Sequence, residues 1–310
     1  MERMGKSSTQ VATAPSPVVR RRELAALLRE LRTEAGLTVE EVAGELLCSP
    51  SKVSRMETGQ RTVSLRDIRD LCALYRVSDP ALREHLTALA KSAKEHGWWQ
   101  PYEIPSSLAT YVGFEADAIR ISNYEPGVIP GLLQTPEYAR AVHDRTLDRP
   151  SDETIDQMIE VRSGRQAILT REDPPPPEFR AIVDEGVLHR VVGSPAIMGA
   201  ALQYVLQACD LPNVGLRVLS YEVGAHPALD STFVLLEFRD PLTPVVYVEG
   251  LVGRVWLERP QEAERYERVF ESLRMMSLSD RDSVDLIAKF ASEYKRMLRA
   301  VNSITYFMNR

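Results

Sequence analysis

Between Leu37 and Gly59 the chain spells out two short helices with almost no room between them, and this stretch constrains the fold more than any other. Thr38 offers a cap oxygen and Glu41 stands three residues on, the spacing at which each side chain satisfies the other's backbone N–H. Val42, Ala43, Leu46 and Leu47 then give an apolar face to a helix of about ten residues. Ser49-Pro50 begins the next helix: serine supplies the cap, and proline at the first helical position removes no needed hydrogen bond. Val53 and Met56 point inward, and Gly59 closes the segment. Ala43 is small where the two helices must touch, so they can cross at a steep angle.

That crossing is the geometry of a helix-turn-helix, which presents its second helix outward, ready for the major groove of a duplex. The outward face would carry Ser51, Lys52, Ser54 and Arg55. Arginine can pair bidentately with guanine, and serine can bond several bases. Arg61 and Thr62 follow the helix and are placed to grip phosphate, which positions a domain without reading sequence.

The flanking pattern fits a small bundle. Leu24, Leu27, Leu28 and Leu31 share one helical face ahead of Gly36, and further helices are expected over about Leu65–Tyr75 and Pro80–His96. Residues 1–19 are small and polar, without the periodicity needed to pack, and are expected to be a disordered arm. Gly97-Trp98-Trp99-Gln100-Pro101 breaks the helical pattern. The expected division is an arm at 1–19, a DNA-binding domain at 20–97, a regulatory domain at 98–294 and a tail at 295–310.

Charge divides along the same line. The net charge is −6, yet residues 1–97 carry 16 Lys and Arg against 13 Asp and Glu, while the remainder carries 22 against 31. DNA affinity depends on local positive charge facing phosphate, so the basic part is where a DNA reader belongs. A hydrophobic content of 44% with 26% charged residues suits a globular chain able to bury a core without staples. There is no secretory pattern and no apolar run of membrane-spanning length, so the expected compartment is the cytoplasm, with nucleoid association when DNA-bound. Cys48, Cys72 and Cys209 form no CxxC pair, and the five histidines are scattered singly. No metal or other cofactor is expected.

Residues 106–171 read as helical, with Leu108, Val112, Ala116, Ile119 and Ile121 running up to a turn at Glu125-Pro126-Gly127, and with Pro174–Pro177 as the stop. The periodicity then shifts toward two in short β-rich runs at 179–183, 215–220, 232–238, 245–248 and 254–257. One helix at about 195–208 lies between the first two runs, and helices at about 261–276 and 279–298 end the chain. The expectation is an α+β architecture: an all-α helix-turn-helix bundle, then a larger domain with a helical part and a mostly antiparallel sheet.

The segments Leu37–Ala43 and Ser49–Gly59 resemble the Cro/C1-type (xenobiotic response element) helix-turn-helix, over about residues 21–77. The resemblance implies base contacts by Ser51, Lys52 and Arg55, a phosphate contact by Ser49, and an internal role for Glu57 in stabilising the turn. Val39 stands where many relatives have a phosphate-binding Gln, so the resemblance does not carry that contact over to this chain. The stretch Tyr124–Arg140, with Phe179–Glu185 and Val246–Glu249, resembles a domain fused behind this motif in actinobacterial regulators of the WhiJ-like, antitoxin-like group. That resemblance, over about 100–294, implies a transcription factor, often a repressor, working with a small acidic partner protein encoded nearby. A homodimer on a near-palindromic operator is expected.

Two other functions stay open: a regulator sensing a small molecule, and an enzyme with an accessory DNA domain. For the second, Asp184, Glu185, His189, His226 and Glu249 are candidate acid/base groups. However, no nucleophile elbow, phosphate loop or metal motif accompanies them, and no enzyme activity is expected. Trp98, Trp99, Tyr102, Tyr111 and Tyr124 read either as interdomain packing or as a partner or effector groove. Pro130–Pro136, with Gln134, reads either as a ligand loop or as a turn before a helix. The expected partner or effector residues are Trp98, Trp99, Tyr124 and Gln134. The tail after Tyr294 is either a helix seeking a second chain or a packed terminus.

Overall fold

The computed structural model of the protein describes residues 16–240, 242–250 and 253–308, with the last ten described as backbone only. The chain divides into two compact units. The first comprises the described residues of Met1–Pro101 together with Leu108–Asp117 and Arg239–Leu242, and the second takes the rest.

The described part of the first unit opens with α1 Pro17–Glu34, α2 Val39–Glu45, α3 Pro50–Glu57, α4 Leu65–Leu74 and α5 Pro80–Ser92. Their starts are written locally. Ser16, Thr38, Ser49, Ser64 and Asp79 each accept a backbone N–H of the turn they open, and Pro17, Pro50 and Pro80 occupy first helical positions. Leu24, Leu28, Val42, Ala43, Val53, Met56, Ile68, Leu71, Leu86 and Leu89 interlock as one buried core. Cys72 lies in that core, and Cys48 packs at its edge.

Two features of this unit depart from the sequence reading. Residues 1–15 of the expected arm lie outside the described residues, but 16–19 are ordered: Ser16 caps α1, and its backbone N–H donates to Asp117 Oδ2 at 2.8 Å. Asp117 ends α6 (Ser106–Asp117), most of which belongs to the first unit rather than beyond a boundary at residue 97. The cause is tertiary. Gly113 comes so close to Val18 that an added Cβ would sit 2.6 Å from Val18 Cγ2, and Arg22 lies over the Phe114 ring at 5.7 Å.

The second unit holds a six-stranded mixed sheet flanked by helices. Its elements are β1 Arg120–Glu125, a 3-10 turn at Gly131–Leu133, α7 Pro136–His143, α8 Asp152–Gln166 and β2 Glu178–Asp184. There follow α9 Gly186–His189, α10 Pro195–Cys209, β3 Val214–Leu219, β4 Phe233–Glu237, β5 Val245–Gly250, β6 Gly253–Leu257, α11 Pro260–Met276 and α12 Asp280–Met308. The strand order is β3-β2-β1-β4-β5-β6. β1, β2 and β3 run parallel, and the three remaining pairings are antiparallel, so the expected α+β class with a mostly antiparallel sheet holds. Tyr124, Phe233, Val246, Phe270 and Leu273 pack the sheet against α11.

The strand at the middle of this sheet, β1, falls where the sequence reads as helix. Ile121, Ser122, Asn123 and Tyr124 are all buried, because a strand covered on both faces has no solvent side to alternate with. Its polar residues are satisfied across the sheet: Asn123 Nδ2 donates to Phe233 O at 3.3 Å, and Arg180 Nη2 donates to Ser122 Oγ at 2.8 Å. Ahead of the prolines at 174–177, α8 is capped by Ser151, runs to Gln166 and closes with a 3-10 turn over Ala167–Leu169.

Candidate nucleic-acid interface

The α2–α3 pair is set by caps on one side and core contacts on the other. The Glu41 backbone N–H donates to Thr38 Oγ1 at 3.2 Å, while Glu41 Oε2 accepts the Thr38 backbone N–H at 2.7 Å. Ser49 Oγ accepts the Lys52 backbone N–H at 3.2 Å and starts α3. Val53 and Met56 are fully buried against Val42 and Ala43, which turns the opposite face of α3 to solvent. Val39 packs partly into the core.

That solvent face carries Ser51, Ser54 and Arg55, with Ser49 at its start and Arg61 and Thr62 just beyond its end, all exposed. Arg55 Nε donates to Ser51 O at 3.2 Å, so the guanidinium lies back along its own helix. Arg61 is anchored by its backbone N–H, which donates to Arg55 O at 3.0 Å.

Lys52 stands apart from its neighbours. Its side chain is only 25% exposed, and Nζ lies 2.7 Å from Asp67 Oδ1 on α4. Its charge is therefore directed at α4 rather than outward with Ser51 and Arg55. Burial would raise the Asp67 carboxyl, but hydrogen bonds from Lys52 and Ser64 more than offset it and hold the group below its ordinary range. Sequence reasoning did not find Asp67; the only trace was Ser64 three residues ahead, the capping spacing.

Glu57 is buried, and its Oε1 accepts from Arg32 Nε at 2.8 Å, while Arg32 Nη1 donates to Leu37 O at 2.7 Å. One guanidinium thus ties the end of α3 to α1 and to the residue that opens the motif. Leu47 differs from its expected place on the apolar face of α2. It sits in the turn with φ 51° and is 94% exposed. The turn requires a left-handed residue there, and that conformation swings the side chain out of the core.

The expected partner residues are divided between the two units. Trp98 and Trp99 meet edge to face at 5.9 Å in the first unit, with Trp99 buried. Tyr124 and Gln134 belong to the second unit and are core residues there. Tyr124 Oη lies 3.4 Å from His226 Nε2, and Gln134 Nε2 donates to Ile129 O at 2.6 Å. Burial follows from the central place of β1 and from the packing of the 3-10 turn against α8. Pro130–Pro136 forms that turn and the start of α7: Thr135 caps the helix, and Gly131 admits Arg162, whose Nη1 would lie 3.0 Å from an added Cβ.

The acid/base candidates each have a local partner. Asp184 Oδ1 accepts the Gly186 N–H at 2.8 Å, Glu185 Oε2 accepts the Tyr221 N–H at 3.0 Å and faces His189, and Glu249 Oε1 accepts from Arg254 Nε at 3.0 Å. Among the described residues no group of three or more His, Cys, Asp or Glu could hold a metal ion, and no helix is long and apolar enough to cross a membrane.

Comparison with known families agrees with this division. Residues 23–86 match the family described as a helix-turn-helix domain. No curated protein matches the chain. Residues 108–289, more than half of the chain, match the domain of unknown function DUF5753, so the chain belongs to that family and carries a helix-turn-helix domain ahead of it.

Proposed function

We propose that the protein is a sequence-specific DNA-binding transcriptional regulator, acting as a repressor of the WhiJ-like, antitoxin-like actinobacterial group. The observation that carries this reading is the outward face of α3: Ser51, Ser54 and Arg55 stand exposed on a helix whose other side is locked by Val53, Met56 and the Arg32–Glu57 pair. Short hydroxyls and an arginine suit base edges, and Arg61 and Thr62 suit phosphate. The excess of basic residues in 1–97 supports the same surface.

In this reading the active species is a homodimer whose two α3 helices enter successive major grooves about 34 Å apart. The second unit dimerises and receives a small acidic partner protein, and it carries out no catalytic step. A partner changes DNA affinity only if it binds one conformation better than the other.

The test is selection of duplexes by the purified full chain, followed by binding at fixed salt to the selected site and to a scrambled version, with and without the neighbouring gene product. A selected near-palindrome bound more than 10³-fold tighter than the scramble is the expected result, within the range of specific readers. Equal affinity for both duplexes would overturn the reading.

A further inference from the structure

In the second unit, one face of the sheet is only partly covered by α11 and α12. A cavity of about 390 Å³ lies there, floored by β2 and β3 and walled by Phe270, Arg274, Asp280 and Val284. It opens above Gly215, where an added Cβ would meet no atom within 4 Å. Strand pairing sets Gly215 opposite Arg180, and Arg217, two residues along, shares that face.

Three guanidiniums therefore border one space. Arg180 Nη1 and Arg274 Nε both donate to Glu271, at 2.9 and 2.7 Å. Arg217 grips Asp280 with two prongs, Nε to Oδ1 at 2.8 Å and Nη2 to Oδ2 at 3.0 Å. Donors remain. Arg180 Nε is buried without an acceptor, and the terminal amino groups of Arg274 have none among the described residues. Glu178, which also lines the cavity, is held by Arg120 at 2.6 Å. Burial pushes the Cys209 thiol up to about 11, so that wall is neutral.

Asp280 is the exchangeable member. Its side chain is 69% exposed, and an exposed ion pair contributes little, so the carboxylate can leave for water at small cost. The two-pronged contact it makes with Arg217 is the contact a free carboxylate or phosphate makes with a guanidinium. We propose that the cavity above Gly215 is a binding site for a small oxyanion, held by Arg217 and Arg274 in the place Asp280 vacates. Asp280 is the tethered occupant of that place.

The test is isothermal titration of the full chain, without DNA, with inorganic phosphate and separately with succinate. Saturable binding of at least one is expected; phosphate alone points to a phosphoryl ligand, and succinate alone to a carboxylate. Asp280→Asn removes the competitor and should tighten binding about tenfold. Gly215→Val places a strand-favoured side chain in open space, so it should keep or raise the melting temperature while weakening binding at least about tenfold. No saturation by either anion, a D280N protein that binds no tighter, or a G215V protein that melts normally and binds as well as the parent would each overturn the proposal. Should G215V fail to fold, the D280N result decides alone, because a purely structural ion pair gives no gain in affinity.

Discussion

Lys52 Nζ lies 2.7 Å from Asp67 Oδ1, while Asp67 Oδ2 accepts the Ser64 hydroxyl at 2.7 Å and the Asp67 N–H donates to Ser64 Oγ at 3.0 Å. A single carboxylate therefore starts α4 and holds the exposed helix α3 to it. Removing it loses a cap and an ion pair together, and Asp67→Ala should cost about 1–2 kcal/mol by urea unfolding at pH 7. Because the folded-state pKa is lowered, this stability is present above the ordinary carboxylate range and is lost as pH falls through the lowered value. The D67A protein should lose less stability than the parent on acidification below about pH 4. Parallel acid limbs for the two proteins would show that Asp67 titrates as an ordinary surface carboxyl.

Arg55 and Arg61 are both exposed, but they stand on different parts of the surface. Arg55 is on the outward face of α3, and Arg61 lies beyond its end. Arg55→Ala should cost about 1–3 kcal/mol on the selected operator and relax base preference. Arg61→Ala should weaken operator and random duplex alike and lower the salt slope by about one. Competition binding over a salt series separates them, and an equal loss on operator and random DNA for R55A would remove Arg55 from base reading.

Leu47 holds φ 51° at the end of α2, where the Cys48 N–H donates to Ala43 O at 2.9 Å and the Leu47 N–H to Gly44 O at 3.2 Å. A left-handed conformation costs a side-chain-bearing residue about 1–2 kcal/mol, and this side chain gains almost no burial in return. Leu47→Gly should therefore raise stability by about 0.5–1 kcal/mol after the added chain entropy of glycine is subtracted. A lower denaturation midpoint for L47G would mean that the exposed leucine makes a contact in the folded protein.

Glu125 keeps some surface as a residue, but its carboxyl is enclosed, and burial pushes it up to about 7. Thr232 Oγ1 donates to its Oε2 at 2.9 Å and Asn123 Nδ2 to its Oε1 at 3.3 Å, and these bonds offset only part of the burial. A raised carboxyl binds its proton more tightly folded than unfolded, so stability is greatest below the unfolded value and falls as pH rises through about 7. Glu125→Gln should flatten that fall and make the protein more stable at pH 8 by up to about 3 kcal/mol. Thermal unfolding across pH 5–8, about the window concerned, checks it; identical slopes in both proteins would place an ionised carboxylate at this position.

Much of the first unit was legible because its signals are local. The Thr38–Glu41 box, Ser49-Pro50, Ala43, Val53 and Met56 act within a few residues of one another, and each lies where the spacing puts it. The strands β2 to β6 were legible too, since β-branched runs bounded by turn residues carry their own punctuation. β1 was not: Ser122 and Asn123 are polar, buried and satisfied only by partners from distant strands. The burial of Tyr124 was hidden for the same reason, because it belongs to that internal strand.

Local propensity and the period of apolar residues depend on near neighbours, so the order of amino acids alone determined the helix-turn-helix, its outward face and the class of the larger domain. Which charges meet depends on chain segments far apart in sequence. Only the tertiary packing therefore directed Lys52 to Asp67, joined α6 to α1 through Gly113, and opened the arginine-bordered space above Gly215.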